Sequence, residues 1–263
     1  MSTPEYIRYF DGHAALEHEY LHPGGKHATG RLLSLLAPQL RENSTILEIG
    51  CGVGVTASML LSNFPVRYIG VDASPKMLQR CRKRLMRFDQ RASLLNLDVE
   101  RNSIPIQDES VDVIIAESVF AILNPEIIFR ECRRVLKNGG IIGWNDRLWG
   151  ETISEIERKK INGKSVKLFG FPAAPSCLST PEEWKKFLIQ FDLTVTHQEI
   201  VESQSTRSTI SLSNNVAKLS GIILHPLRSI GVYSNDRRME KAFKDVWGKM
   251  ENWIFLASKQ VGK

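Results

Sequence analysis

Along the first two thirds of the chain, short continuous aliphatic runs take turns with stretches whose apolar residues recur at a helical spacing. A continuous run reads as a strand buried on both faces, and a 3.6-residue repeat as a helix covering it. Strands are expected near 45–49, 67–71, 93–97, 112–116 and 140–145. Helices are expected over 55–63, over Pro75–Arg87 with Ser74 as N-cap, and over Pro125–Leu136 with Asn124 as N-cap. In the last two a proline takes the first helical position, where its missing N–H costs nothing. Gly139-Gly140 turns the chain into the fifth strand. Further on, Ser179-Thr180-Pro181-Glu182-Glu183 is another helix start, Leu193–Val201 a sixth strand and Trp253–Ser258 a seventh. Strand and helix in alternation predict a parallel sheet covered on both faces.

The first strand carries the most informative residues. Ile46-Leu47-Glu48-Ile49 runs into Gly50-Cys51-Gly52-Val53-Gly54, an acid followed by a Gly-x-Gly-x-Gly turn. Glycines there let backbone approach a ligand more closely than a Cβ permits, and the helix from Val55 points its free N–H groups at the same place. The dinucleotide fingerprint Gly-x-Gly-x-x-Gly is the competing pattern, and it fails because position 55 is Val55. The second strand ends in Asp72, a carboxylate suited to the two hydroxyls of a ribose. The third ends at Asp98-Val99, where a side-chain acceptor beside a backbone donor can read an adenine edge.

These segments, with Val111-Asp112-Val113-Ile114-Ile115-Ala116-Glu117-Ser118 and Arg133-Arg134-Val135-Leu136-Lys137-Asn138-Gly139-Gly140, stand in the order of the class I S-adenosylmethionine-dependent methyltransferases, which residues 44–146 resemble. The resemblance implies a Rossmann-like, doubly wound α/β fold. Its seven-stranded, mostly parallel sheet has the last strand antiparallel, and helical lid insertions complete it. It implies S-adenosylmethionine as cofactor, S-adenosylhomocysteine as product, and in-line transfer of a methyl group to a small-molecule acceptor. Alternatives are methylation of RNA or protein, or a protein of this fold that binds the cofactor without transferring methyl.

Site residues follow position by position from the same resemblance. The backbone of Gly50, Cys51 and Gly52, in the loop from Glu48 to Gly54, lines the methionine part. Asp72 holds the ribose, Ala73 and Met77 border the adenine, Asp98 and Val99 read its edge, and Glu117 and Ser118 lie below the methionine part. Residues 1–43 are expected as a helical lid segment and 44–202 as the cofactor-binding core, with an insertion at about 147–180. Residues 203–250 would form a helical substrate cap, and 251–263 the final core strand.

Four of the six histidines, His13, His18, His22 and His27, crowd the N-terminal segment. A metal site there would use His18 and His22, but Pro23 breaks the helix and no acid or cysteine has suitable spacing, so no metal is expected. The turn His22-Pro23-Gly24-Gly25-Lys26 instead reads as a closure over the cofactor. Gly25 offers a backbone amide, Lys26 or Thr29 meets the methionine carboxylate, and His22 serves as a general base or as part of the lid. Asn145 and Asp146, at the carboxyl end of the fifth strand, are candidates for acceptor contact.

Composition changes this picture little. The chain has 263 residues, 42% of them hydrophobic, enough for one domain with a full core. A formal net charge of +6 raises nucleic acid as a partner. The excess sits in one helix, at Arg80, Arg82, Lys83, Arg84, Arg87 and Arg91, beside the adenosine end rather than the acceptor mouth, and the fourth strand lacks an Asn-Pro-Pro-Tyr-like tetrapeptide. Nucleic acid is therefore not the expected partner. No apolar run approaches the ~18 residues of a membrane span, and no signal peptide is visible, so a cytoplasmic protein is expected. Cys51, Cys81, Cys132 and Cys177 show neither disulfide nor zinc spacing. Oligomeric state is left open.

Overall fold

The computed structural model describes residues 4–15, 19–201, 244 and 246–260. The expected cap at 203–250 lies almost wholly outside the described residues, and His18 lies outside them too. Seven strands form one sheet: β1 (Thr45–Ile49), β2 (Arg67–Asp72), β3 (Ala92–Asn96), β4 (Val111–Glu117), β5 (Leu136–Trp149), β6 (Leu193–Ile200) and β7 (Met250–Lys259). Their order is β3-β2-β1-β4-β5-β7-β6. The first five strands are parallel to one another, while β7 runs antiparallel to both of its neighbours, as the resemblance implied.

Helices cover both faces. On one lie α2 (Gly25–Leu36), α3 (Val55–Asn63) and α4 (Pro75–Leu85), which bury Leu32, Leu36, Leu60, Leu61, Cys81 and Leu85 against Ile46, Val113 and Ile115. On the other lie α5 (Pro125–Val135) and α7 (Pro181–Ile189), where Phe129, Trp184 and Leu188 meet Trp144 and Phe255. The residue alternation of β4 explains the split, since odd and even positions of a strand face opposite sides. Helix α1 (Glu5–Ala15) packs on α4 and on α6 (Glu155–Phe169).

Local chemistry sets most boundaries. Ser74 Oγ accepts the Met77 N–H and Asn124 Oδ1 the Glu126 N–H, so both expected caps are in place. Helix α6 begins more strongly, with a capping box at Ser154/Glu157, and α7 has another at Thr180/Glu183. Expected helix ends run slightly long: α4 tightens into a 3-10 turn at Met86–Phe88, and α5 stops at Val135 because Leu136 is extended.

Strand β5 differs more from expectation. It begins at Leu136, passes through a bulge with Gly139 at φ +76°, and continues to Trp149. Nine register pairs with β7, from Ile141↔Ser258 to Trp149↔Met250, carry it past Asn145. The insertion thus starts after Trp149 rather than near 147, because backbone pairing with β7 extends beyond the shorter parallel neighbour β4.

Candidate functional site

At the carboxyl ends of β1, β2 and β4 the chain lines a cavity that is open to solvent on one side. The turn from β1 into α3 forms its floor. Gly50 and Gly52 have positive φ, and their loop is pinned to β2: the Gly50 and Cys51 N–H groups donate to the Val71 carbonyl at 2.8 and 3.0 Å. A Cβ built on Gly52 would meet no protein atom within 4 Å, so this backbone borders open cavity. Such a bare strip of main chain is what close approach of a ligand requires.

Asp72 ends β2 and locks the loop in place. One carboxylate oxygen accepts the Gly52 N–H at 2.9 Å and the other the Ser74 N–H at 2.8 Å. Burial pushes its carboxyl pKa up, and the two backbone bonds oppose the shift. Ala73, Met77, Asp98 and Val99 line the same cavity. Asp98 also opens a turn, accepting the Glu100 N–H at 3.2 Å and pairing with Arg101 at 3.4 Å.

Two acids lie deeper. Glu48 is 3% exposed and accepts a hydrogen bond from the Tyr68 hydroxyl; burial first, then the nearby Glu117, holds its carboxyl well above the usual range. Glu117, at the end of β4, joins four elements. Its carboxylate accepts from Thr56 Oγ1 at 2.5 Å, from Thr29 Oγ1 at 2.9 Å and from Asn145 Nδ2 at 2.6 Å, with His22 Nε2 at 3.5 Å. Glu48, Glu117 and Ser118 all border the cavity.

The N-terminal segment forms the roof, through Tyr6, Ile7 and Phe10 of α1 and through Glu19 to His22. It is tied down at the edge: Ser74 Oγ donates to Asp11 at 2.5 Å, Lys76 pairs with Asp11 at 3.0 Å, and Arg84 with Glu19 at 2.9 Å. Among the described residues, the N-terminal histidines lie apart from one another. His13 is buried against Tyr9, His27 is exposed on α2, and His22 faces the cavity.

Most expected cofactor residues meet here, and several expected residues do not. Gly54 lies outside the lining; its would-be Cβ stands 2.5 Å from Cys81 Sγ, so its missing side chain serves helix packing. Gly25 and Thr29 are also outside it, and Thr29 is fully buried, spending its hydroxyl on Glu117 and His22 rather than on a cavity ligand. Asn145 and Asp146, each 2% exposed, use their polar atoms within the protein and do not reach the cavity. His22 lines it, but Nδ1 faces the Pro23 carbonyl at 3.1 Å and Nε2 faces Thr29 Oγ1 at 3.1 Å. Because Thr29 gives its own proton to Glu117, neither ring nitrogen is directed into the cavity as an acceptor.

Sequence reading expected a lid from residues 1–43 without naming its lining side chains, and it did not identify the side wall. Tyr6, Ile7, Phe10, Tyr20 and Leu21 cover the cavity, and Ile122 and Leu123 close its side. The spacing of Tyr6, Ile7 and Phe10 was a usable signal, an apolar stripe on a short helix near the glycine turn. The basic cluster is partly structural: Arg84 pairs with Glu19, and the Arg91 guanidinium donates to the Leu61 and Phe64 carbonyls at 2.9 Å. None of its six residues lines the cavity.

Comparison with known proteins agrees with this geometry. Residues 47–143 match the family model described as a methyltransferase domain. An uncharacterized methyltransferase-like protein of Schizosaccharomyces pombe is 35% identical over 147 residues, 55% of this chain and 51% of its own length, so the chain spans about half of that relative. The 27-O-demethylrifamycin SV methyltransferase of Amycolatopsis mediterranei is 30% identical over 126 residues, covering 47% of this chain and 46% of the relative. Among solved structures, a methyltransferase from Geobacter sulfurreducens in complex with S-adenosylhomocysteine superposes with a TM-score of 0.71 at 13% identity, covering 96% of this chain and 98% of that one. Residues 47–143 thus match a methyltransferase domain, and the sheet order and glycine turn around it are similar to those of the class I S-adenosylmethionine-dependent methyltransferases.

Proposed function

We propose that this protein transfers a methyl group from S-adenosylmethionine to a small-molecule acceptor. The supporting observation is that the bare Gly52 backbone, the Asp72 carboxylate, Asp98-Val99 and Glu117-Ser118 all open onto one roofed cavity. When bound, the cofactor supplies an electrophilic methyl carbon on a sulfonium. Asp72 holds the ribose hydroxyls while its two amide bonds keep it oriented, and Asp98 with Val99 takes the adenine edge, bordered by Ala73 and Met77. Gly50, Cys51 and Gly52 present main chain to the methionine part, and Glu117 and Ser118 support it from β4.

Positioning is the chain's main contribution. Transfer in line needs donor, carbon and acceptor held at a fixed angle, and orientation of this kind supplies up to ~7–11 kcal/mol of barrier reduction. The apolar roof of Ile7, Phe10 and Leu21 excludes water, which favours a reaction that removes positive charge. A roofed cavity with aromatic and aliphatic walls suits a small acceptor better than a polymer, and the exposed basic residues of α4 lie apart from it. His22 acts here as part of the closure, since its nitrogens are engaged by Pro23 and Thr29. Among the described residues no helix is long and apolar enough to cross a membrane.

The test is parallel calorimetric titration with S-adenosylmethionine, S-adenosylhomocysteine and NAD, followed by an acceptor screen that reads S-adenosylhomocysteine release. Binding of the first two alone and acceptor-dependent release are expected. Binding without release from any acceptor would favour a cofactor-binding protein that does not methylate; absence of binding would end the proposal.

A further inference from the structure

Asn145 and Asp146 adjoin on β5, so their side chains leave opposite faces of the sheet, yet both grip the turn that follows β4. The Asn145 carbonyl accepts the Ser118 N–H at 2.8 Å, and its amide donates to Glu117 at 2.6 Å. Asp146 Oδ2 accepts the Phe120 N–H at 2.9 Å, and its Oδ1 accepts the Arg147 N–H at 2.8 Å. Between these anchors Ser118 sits at φ +53°, a conformation a non-glycine residue keeps only when its surroundings hold it there. The next residue, Val119, places Cγ1 2.7 Å from where a Cβ on Gly50 would stand. The turn therefore abuts the glycine loop, and Gly50, Ser118 and Val119 all border the cavity.

We propose that Asp146 is a positioning residue for the cofactor: by holding the Phe120 N–H it fixes the Glu117–Phe120 turn against the glycine loop and sets the slot for the methionine part of S-adenosylmethionine. This rests on the cofactor reading above. A carboxyl group suits the task because its two oxygens each meet an N–H group arriving from a different segment; a side-chain amide would turn its NH₂ toward one of them. Asp146 touches no cavity atom, so its effect is transmitted through Phe120 and Val119.

Calorimetric titration with S-adenosylhomocysteine, well below the melting temperature, tests this on wild type, Asp146→Ala, Asp146→Asn and Leu188→Ala. Leu188 is buried in the same core on α7 and does not line the cavity, and it provides a control for destabilisation as such. Losing the acceptor should weaken binding at least about tenfold in Asp146→Ala and about threefold in Asp146→Asn, with wild-type affinity in Leu188→Ala. Amide exchange should quicken at Phe120 in both Asp146 variants. If Asp146→Ala fails to fold, Asp146→Asn decides. Wild-type affinity in a folded Asp146 variant overturns the assignment, as does an equal loss in Leu188→Ala. A wild type that binds no S-adenosylhomocysteine removes the cofactor reading itself.

Discussion

Replacing Gly54 by alanine separates two costs that the structure makes distinct. Gly54 is the N-cap of α3 at φ +76°, ψ +30°, a left-handed conformation that costs an L-residue about 1–2 kcal/mol. The added methyl would also stand 2.5 Å from Cys81 Sγ, in a core where Cys81 is fully buried on α4. Overpacking of this kind costs about 1–3 kcal/mol, so Gly54→Ala should lose about 2–5 kcal/mol in total. Cys81→Ala removes the sulfur and leaves the backbone cost untouched. In a double-mutant cycle followed by urea denaturation and tryptophan fluorescence, the pair should therefore be more stable than the sum of the single variants by about 1–3 kcal/mol. Strict additivity would refute the steric half of the reasoning. A Gly54→Ala protein within about 0.5 kcal/mol of wild type would refute both halves.

Asp72→Ala should weaken S-adenosylmethionine binding at least about tenfold, since it removes the ribose acceptor and frees the Gly52 and Ser74 N–H groups together; calorimetry with unchanged affinity would contradict the assigned role. Thr29→Val keeps shape but leaves Glu117 and His22 without the bridging hydroxyl, so a loss of about 1–3 kcal/mol and faster amide exchange over residues 19–29 are expected by denaturation and mass spectrometry. Burial raises the Asp146 pKa from its ordinary value to about 7. Between those two values the folded chain carries one more proton than the unfolded chain, so this group's contribution to stability falls as pH rises and levels off above about 7. Stability of Asp146→Asn relative to wild type should then improve by roughly 1.4 kcal/mol per pH unit between about pH 5 and 7, and a flat difference would argue against a carboxyl held protonated in that range.

The sheet and the cavity-facing turns were readable from sequence because their signals are local. Ile46–Ile49, Tyr68–Val71 and Val111–Ala116 are unbroken apolar runs, and Ser74-Pro75 and Asn124-Pro125 are cap pairs that need no tertiary partner to be recognised. Other expected site residues are set by three-dimensional company that the sequence does not display. Asn145 and Asp146 end near the site in sequence terms, but pairing with Ile254 and Trp253 of β7 carries their strand onward and leaves them buried. Thr29 looked like a lid residue and became a support for Glu117, whose other partners come from Thr56 and Asn145. Helix α6 was not distinguished within its insertion. Its buried side is formed by Asn162, Ser165 and Phe169, while Ile156 is 81% exposed, so its apolar residues trace no inward stripe. Asn162 earns its buried place by bonding the Ala173 N–H and the Ala174 carbonyl, a pairing invisible to periodicity.

The position of β7 has a consequence for biogenesis. It fills the gap between β5 and β6, although residues 201–249 separate it from β6 in the chain. While a ribosome is still making that stretch, β5 presents Ile141 to Trp149 as an unsatisfied strand edge, and β6 lacks the strand it pairs with among the described residues. An exposed edge of that length, carrying Ile142, Trp144 and Leu148, is a template for pairing with another nascent copy. Closure must therefore wait for the last strand, which makes the sheet slow to complete by the logic of long-range pairing. Truncations before Met250 would leave that edge open permanently and yield aggregates rather than a smaller working enzyme.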